Sequence, residues 1–107
     1  MSEIQVQFTS GHHIHGTQDL QDYVQTMVKD ALEHVHWKIT RVNVHMQDQN
    51  ASKGGVDKKC TIEARLAEHQ PLAVSHEGES FEQALSGALD KMARALEHTV
   101  GRLHDKK

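Results

Sequence analysis

The sequence predicts an α+β fold: a two-layer sandwich in which a four-stranded sheet carries two helices on one face, in the order β-α-β-β-β-α. Three observations carry that expectation. Four short segments alternate apolar and polar residues, the period-two pattern of a strand with one buried face. Two longer segments repeat apolar residues at three- and four-residue steps, the stripe of an amphipathic helix. A length of 107 residues suits one domain built on one modest core, so residues 1–107 are expected to form a single unit.

The elements follow in order. In Ile4-Gln5-Val6-Gln7-Phe8 the apolar residues share one face and the glutamines the other. Ser10 to Gly16 reads as a glycine-bracketed loop. Thr17 stands before Gln18, Asp19 and Leu20; a threonine cap with an acid in the first turn suits the exposed amides of a helix start. Leu20, Tyr23, Val24, Met27, Val28, Ala31, Leu32 and Val35 then mark a helix of roughly five turns. From Ile39 to Gln47 the alternation returns, with Val42, Val44 and Met46 opposite Arg41, Asn43, His45 and Gln47. Asp48 to Asp57 is polar, contains Gly54-Gly55, and reads as a turn. Lys58 to Leu66 is a third strand, with Cys60, Ile62, Ala64 and Leu66 on the apolar side. Leu72 to His76 is a short fourth strand. Ser80 caps a last helix whose stripe runs from Phe81 through Ala84, Leu85, Ala88, Leu89, Met92 and Leu96 to Leu103. A helix between the first two strands makes them parallel neighbours, and the last three strands form an antiparallel meander. The polar sheet face is left to solvent.

Composition narrows the function. Aromatics are only 4% of residues, so the core is aliphatic. No apolar run approaches the ~20 residues of a membrane span, and MSEIQVQ has neither the basic start nor the apolar stretch of a signal peptide. A single Cys excludes an internal disulfide framework. A cytoplasmic protein is expected, with no membrane partner. The formal charge of −3 speaks against a uniformly basic nucleic-acid binder, yet it is unevenly spread. Residues 1–35 carry one Lys against five acids, and residues 68–85 carry four acids and no Lys or Arg. Residues 36–67 carry six bases against three acids, and residues 86–107 five against three. On the last helix Lys91, Arg94, His98 and Arg102 fall within a sector of roughly 80°. Glu82, Asp90 and Glu97 occupy the opposite flank. Cations repeated along a rigid helix edge suit a phosphate backbone.

Rival chemistries find less support. The sequence holds 10 His, clustered at His12-His13-Ile14-His15 and His34-Val35-His36. Zinc wants ligands converging from fixed positions, whereas the first cluster falls in a loop and Cys60 sits on an apolar parity; neither a metal nor another cofactor is expected. Cys60 on that parity is a buried thiol rather than a nucleophile. No nucleophile elbow or phosphate-cradling glycine loop occurs. No catalytic residue and no small-molecule substrate is expected, so the chain reads as a non-enzyme.

These pieces together resemble the ribosome hibernation-promoting factor and ribosome-associated inhibitor family, formerly called sigma-54 modulation proteins. The resemblance rests on Ile4-Gln5-Val6, Leu20-Gln21-Asp22-Tyr23-Val24, Ile39-Thr40-Arg41-Val42-Asn43-Val44 and, above all, the run from Phe81 to Leu96. There Asp90, Lys91, Met92 and Arg94 match the family's Asp-Lys-hydrophobic-x-Arg core. The topology is similar to a double-stranded-RNA-binding layer with an extra leading strand. The resemblance implies a stress-related, ribosome-associated factor that binds the small ribosomal subunit near the decoding region and blocks translation. Its contacts would be basic side chains on rRNA phosphates. Carried over by motif, the implied rRNA-binding residues are Lys91 and Arg94, with Arg102 extending the stripe; Arg41, Lys58, Lys59 and Arg65 join them on charge and strand position. Glu97 and His98 stand where further cations would be expected, which implies a divergent member. The chain ends after its last helix, so it resembles the short type, a monomer off the ribosome. The alternative is a stress-related protein- or metal-binding module of the same fold without strong ribosome affinity.

Overall fold

Alternation in the sequence becomes one four-stranded sheet. The computed structural model describes residues 4–10, 18–48, 58–67 and 69–105, without the side chains of Ser10, His36, Trp37, Val100 and residues 102–105. The Thr17 cap, the His12–His15 loop and the Gly54-Gly55 turn lie outside the described residues. The elements are β1 (Gln5–Ser10), α1 (Gln18–Leu32), a 3₁₀ segment (Glu33–Lys38), β2 (Ile39–Asp48), β3 (Lys58–Leu66), β4 (Leu72–Gly78) and α2 (Phe81–Asp105). The strands lie in sequence order, β1-β2-β3-β4. β1 pairs parallel with β2, while β2–β3 and β3–β4 are antiparallel. This is the α+β architecture the sequence predicts, a mixed sheet with two helices.

One face of the sheet and both helical stripes close on the same core. Val42, Val44 and Met46 of β2 and Cys60, Ile62 and Ala64 of β3 are buried with Val24, Val28 and Leu32 of α1 and Leu85, Ala88, Met92 and Leu96 of α2. Both helices therefore cover one face. Each large aliphatic side chain so buried contributes about 1.5–3 kcal/mol relative to exposure. At the α2 start, the Gln83 amide donates to Ser80 Oγ at 3.1 Å and the Glu79 amide donates to Gln83 Oε1 at 2.9 Å. These bonds satisfy donors that a helix start leaves without intrahelical partners.

Two local departures from simple periodicity matter. The first helix does not continue to Val35 as an α-helix; it tightens after Leu32, and Val35 adopts φ −125° and ψ 15°. The run His34-Val35-His36-Trp37 holds β-branched, imidazole and indole side chains of modest helix propensity. Val35 is nevertheless buried, because a 3₁₀ turn and an α-turn both return it to the core side. The second departure is a bulge between Ile39 and Arg41, where the register with β3 shifts. Thr40 occupies it, its hydroxyl donating to the Arg65 carbonyl at 3.1 Å. Strict alternation would leave Ile39 on the same side as Arg41. The extra residue turns Ile39 into the core while Arg41 stays on the open face.

Candidate nucleic-acid interface

The open sheet face forms a polar lattice fixed by strand register. Gln5, Arg41 and Arg65 make one cross-strand row; Gln7, Asn43 and Glu63 make the next. Thr9, His45 and Thr61 follow, then Gln47, Lys59 and Glu77. None of these side chains is Phe, Tyr or Trp and His45 is the one ring among them, so the face offers no row of aromatics on which successive bases could stack. It offers donors, acceptors and cations. Asn43 Nδ2 donates to Glu63 Oε1 at 3.3 Å, and Thr9 Oγ1 meets His45 Nδ1 at 2.8 Å.

Arg41 and Arg65 stand directly opposite each other across β2 and β3. This pairing keeps the register of the rest of β2 and β3, and the Thr40 bulge lies just before it, shifting only Ile39. Like charges facing across strands cost stability. Arg65 Nε lies 3.9 Å from Glu63 Oε1, a partial compensation on an exposed pair. Arg41 also lines a groove of about 440 Å³ along the free edge of β1, with Gln5, Gln7, Gln25 and Lys29. An oxyanion bound at this corner would meet guanidinium forks in the geometry they serve best.

The remaining expected residues separate. Lys59 is on the open face, between Gln47 and Glu77. Lys58 is on the helix side, 3.3 Å from Asp48 Oδ2 and with its Nζ 5.7 Å from the Phe81 ring centroid. Lys91 reaches from α2 over the sheet edge, where its Nζ donates to the Ser75 carbonyl of β4 at 2.9 Å. Arg94 is one turn further on, 79% exposed at its side chain and 3.1 Å from Asp90 Oδ2. A pair so exposed holds the guanidinium weakly. Arg102 belongs to α2, but its side chain lies outside the described residues. The structure thus joins Arg41 with Arg65 and sets Lys91 and Arg94 on the flank of α2 beside β4. Lys29 and Gln25 beside Arg41 escaped sequence reasoning, because only the packing of α1 along β1 brings them there.

Among the described residues no three His, Cys, Asp or Glu side chains come together as metal ligands. Burial pushes the Cys60 thiol up from 9.0 to about 12, which leaves it protonated and a poor nucleophile at neutral pH. The unfolded chain releases that proton near 9 and the folded chain holds it, so this contribution to stability is intact below pH 9 and is lost as pH rises toward 12. Cys60→Val removes the titration. The stability of the valine variant relative to the parent should be flat up to pH 9 and then rise by about 1.4 kcal/mol per pH unit. Urea midpoints at about pH 7 and pH 10 measure this, and an unchanged difference would refute it.

Residues 7–104 match the family described as Sigma 54 modulation protein / S30EA ribosomal protein. The chain belongs to that family. Its members are ribosome-associated modulation and hibernation factors, not enzymes. The fold agrees with solved structures. The Protein Y N-terminal domain of Thermus thermophilus superimposes with a TM-score of 0.71 at 16% identity, covering 89% of this chain and 98% of that one. A ribosomal subunit interface protein from Coxiella burnetii gives 0.69 at 11% identity, covering 91% and 98%. At such identities the likeness is one of fold. No curated protein matches by sequence. No helix among the described residues is long and apolar enough to cross a membrane.

Proposed function

We propose that the chain is a cytoplasmic hibernation factor that binds the small ribosomal subunit through rRNA phosphates and blocks translation by occupying the channel of mRNA and tRNA. Family membership supports the ribosome as partner, and a structural neighbour carries the name ribosomal subunit interface protein. The observation that carries the reading to rRNA is the Arg41–Arg65 pair on a sheet face without Phe, Tyr or Trp. Two arginines opposite each other in register repel, and a phosphate bridging them would relieve that repulsion. Such a face reads backbone rather than base sequence, and rRNA in a folded subunit presents backbone in a fixed shape. Lys59 extends the face, and Lys91 and Arg94 supply a second set of cations at the β4 edge. Here the domain acts as a plug: its work is to occupy space.

Sedimentation of purified ribosomes with the chain through sucrose gradients, across a salt series, tests this. The chain should travel with the small subunit at low salt. The logarithm of its affinity should fall linearly with the logarithm of salt, with a slope of about −0.7 to −0.9 per phosphate contact. A chain that stays at the top of a low-salt gradient would overturn the proposal and favour a module without ribosome affinity.

A further inference from the structure

We propose that the groove between α1 and α2 docks a cationic amphipathic helix of a partner protein. Met27 and Ala31 of α1 and Ser86, Leu89 and Ala93 of α2 line a mainly apolar groove of about 330 Å³, with Asp90 on its wall. A neighbouring groove of about 540 Å³ shares Met27 and Ser86 and adds Tyr23, Glu77 and Glu82. Tyr23, 36% exposed, is the large hydrophobic side chain left open among the described residues. Small side chains at Ala31, Ser86 and Ala93 keep the seam between the helices shallow and open. That shape takes larger apolar anchors from outside.

Charge selects the occupant. The two acid-rich segments of the sequence, residues 1–35 and 68–85, supply α1 and the β4–α2 junction. Glu77, Glu82 and Asp90 line the joined grooves, and Asp30 follows Lys29 on α1. Arg94 touches Asp90 from the outer side of α2. Of the proposed phosphate ligands, Arg41, Lys59 and Arg65 belong to the open face of the sheet, and Lys91 and Arg94 to the flank of α2 beside β4. The grooves themselves, lined by Glu77, Glu82 and Asp90 and by no Lys or Arg, therefore disfavour a nucleic-acid backbone and attract a basic peptide. His34 Nε2 of the 3₁₀ segment meets Glu97 Oε2 of α2 at 2.8 Å and closes the far end of the groove. From Tyr23 to His34 the helical rise is about 16 Å, room for three turns of a helix with anchors at i, i+3 or i+4, and i+7.

The site does not depend on ribosome binding. A labelled Leu/Lys peptide of about 14 residues, with leucines at that spacing, is titrated against the 107-residue chain by fluorescence anisotropy. The control keeps the leucines and replaces each lysine with glutamate. The Leu/Lys peptide should bind and the Leu/Glu peptide should not. Ser86→Trp, at an exposed position, fills the groove and should weaken binding by about tenfold or more. Glu77→Lys with Glu82→Lys should do the same and flatten the salt dependence, while Ser86→Trp leaves ribosome co-sedimentation unchanged. Equal binding of the Leu/Glu peptide, or unchanged affinity of both variants, overturns the proposal. So does a dimer of the chain that Ser86→Trp dissolves in sedimentation equilibrium, since the groove would then belong to a second copy.

Discussion

Replacing Gly87 with alanine is expected to destabilise the fold by about 1–3 kcal/mol, although alanine is the better helix former by about 1 kcal/mol. The reason is the approach of α2 to β4. A Cβ at Gly87 would overlap the His76 ring, with Cδ2, Nε2 and Cγ all in its path. His76 projects from β4 toward α2 on the core side. The ring must leave its place or the helix must lift. Lifting is resisted nearby, where a Cβ on Gly78 would lie 2.8 Å from Gln83 Cβ and 3.0 Å from the Ala84 nitrogen. The Lys91 bond to the Ser75 carbonyl ties the same two elements one turn on. A double-mutant cycle isolates the contact. In a His76→Ala background the Gly87→Ala step should become neutral or stabilising by up to about 1 kcal/mol, as helix propensity alone would have it. Denaturant midpoints of the four proteins supply the measurement. A stabilising Gly87→Ala in the parent, or the same cost with and without His76, would show that the ring does not set the helix position.

The elements of this fold are legible in the sequence because each has one apolar side. Val42, Val44 and Met46, or Cys60, Ile62 and Ala64, announce a strand and its buried face at once. Helix stripes do the same for Val24, Val28 and Leu32. Less legible is whatever depends on a single residue out of phase. Thr40 breaks the period without any turn residue to mark it, and the burial of Ile39 follows only when β3 is laid alongside. The end of α1 at Leu32 is hidden for a different reason: Val35 is buried in either helical geometry, so the stripe does not report the change. At the candidate site, charge and parity place Arg41, Lys59 and Arg65 on one face. They leave open that Arg41 and Arg65 are opposite neighbours, since that needs the register. Lys58 shares the parity of Cys60, and its place beside Asp48 and Phe81 follows from that parity once α2 covers the end of β3. The net charge of −3 conceals most: residues 36–67 supply the cations of the open sheet face, while the acid-rich residues 1–35 supply α1 on the other side.

Reversing Arg41 and Arg65 together to glutamate is expected to lower affinity for the small subunit by about a hundredfold or more at moderate salt. Each lost phosphate contact removes about 0.7–0.9 from the salt slope, and each introduced acid adds repulsion. A milder variant separates binding from folding. Arg65→Gln removes one guanidinium from a like-charge pair, so the fold should be as stable as the parent or slightly more so. Glu63 keeps its hydrogen bond from Asn43 Nδ2. Affinity should nevertheless fall, and the salt slope should flatten by about one contact. Stability unharmed with binding impaired is the signature of residues held together for a ligand; a structural role would move both in the same direction. Lys91→Glu with Arg94→Glu is the comparison on the flank of α2. If that pair weakens co-sedimentation while the sheet variants leave it unchanged, rRNA meets the β4 edge and not the open face. If both sets weaken it, with slopes that add, the contact wraps the β4 edge. There Lys91 already crosses from the helix to the Ser75 carbonyl, so one continuous path of phosphate could engage both.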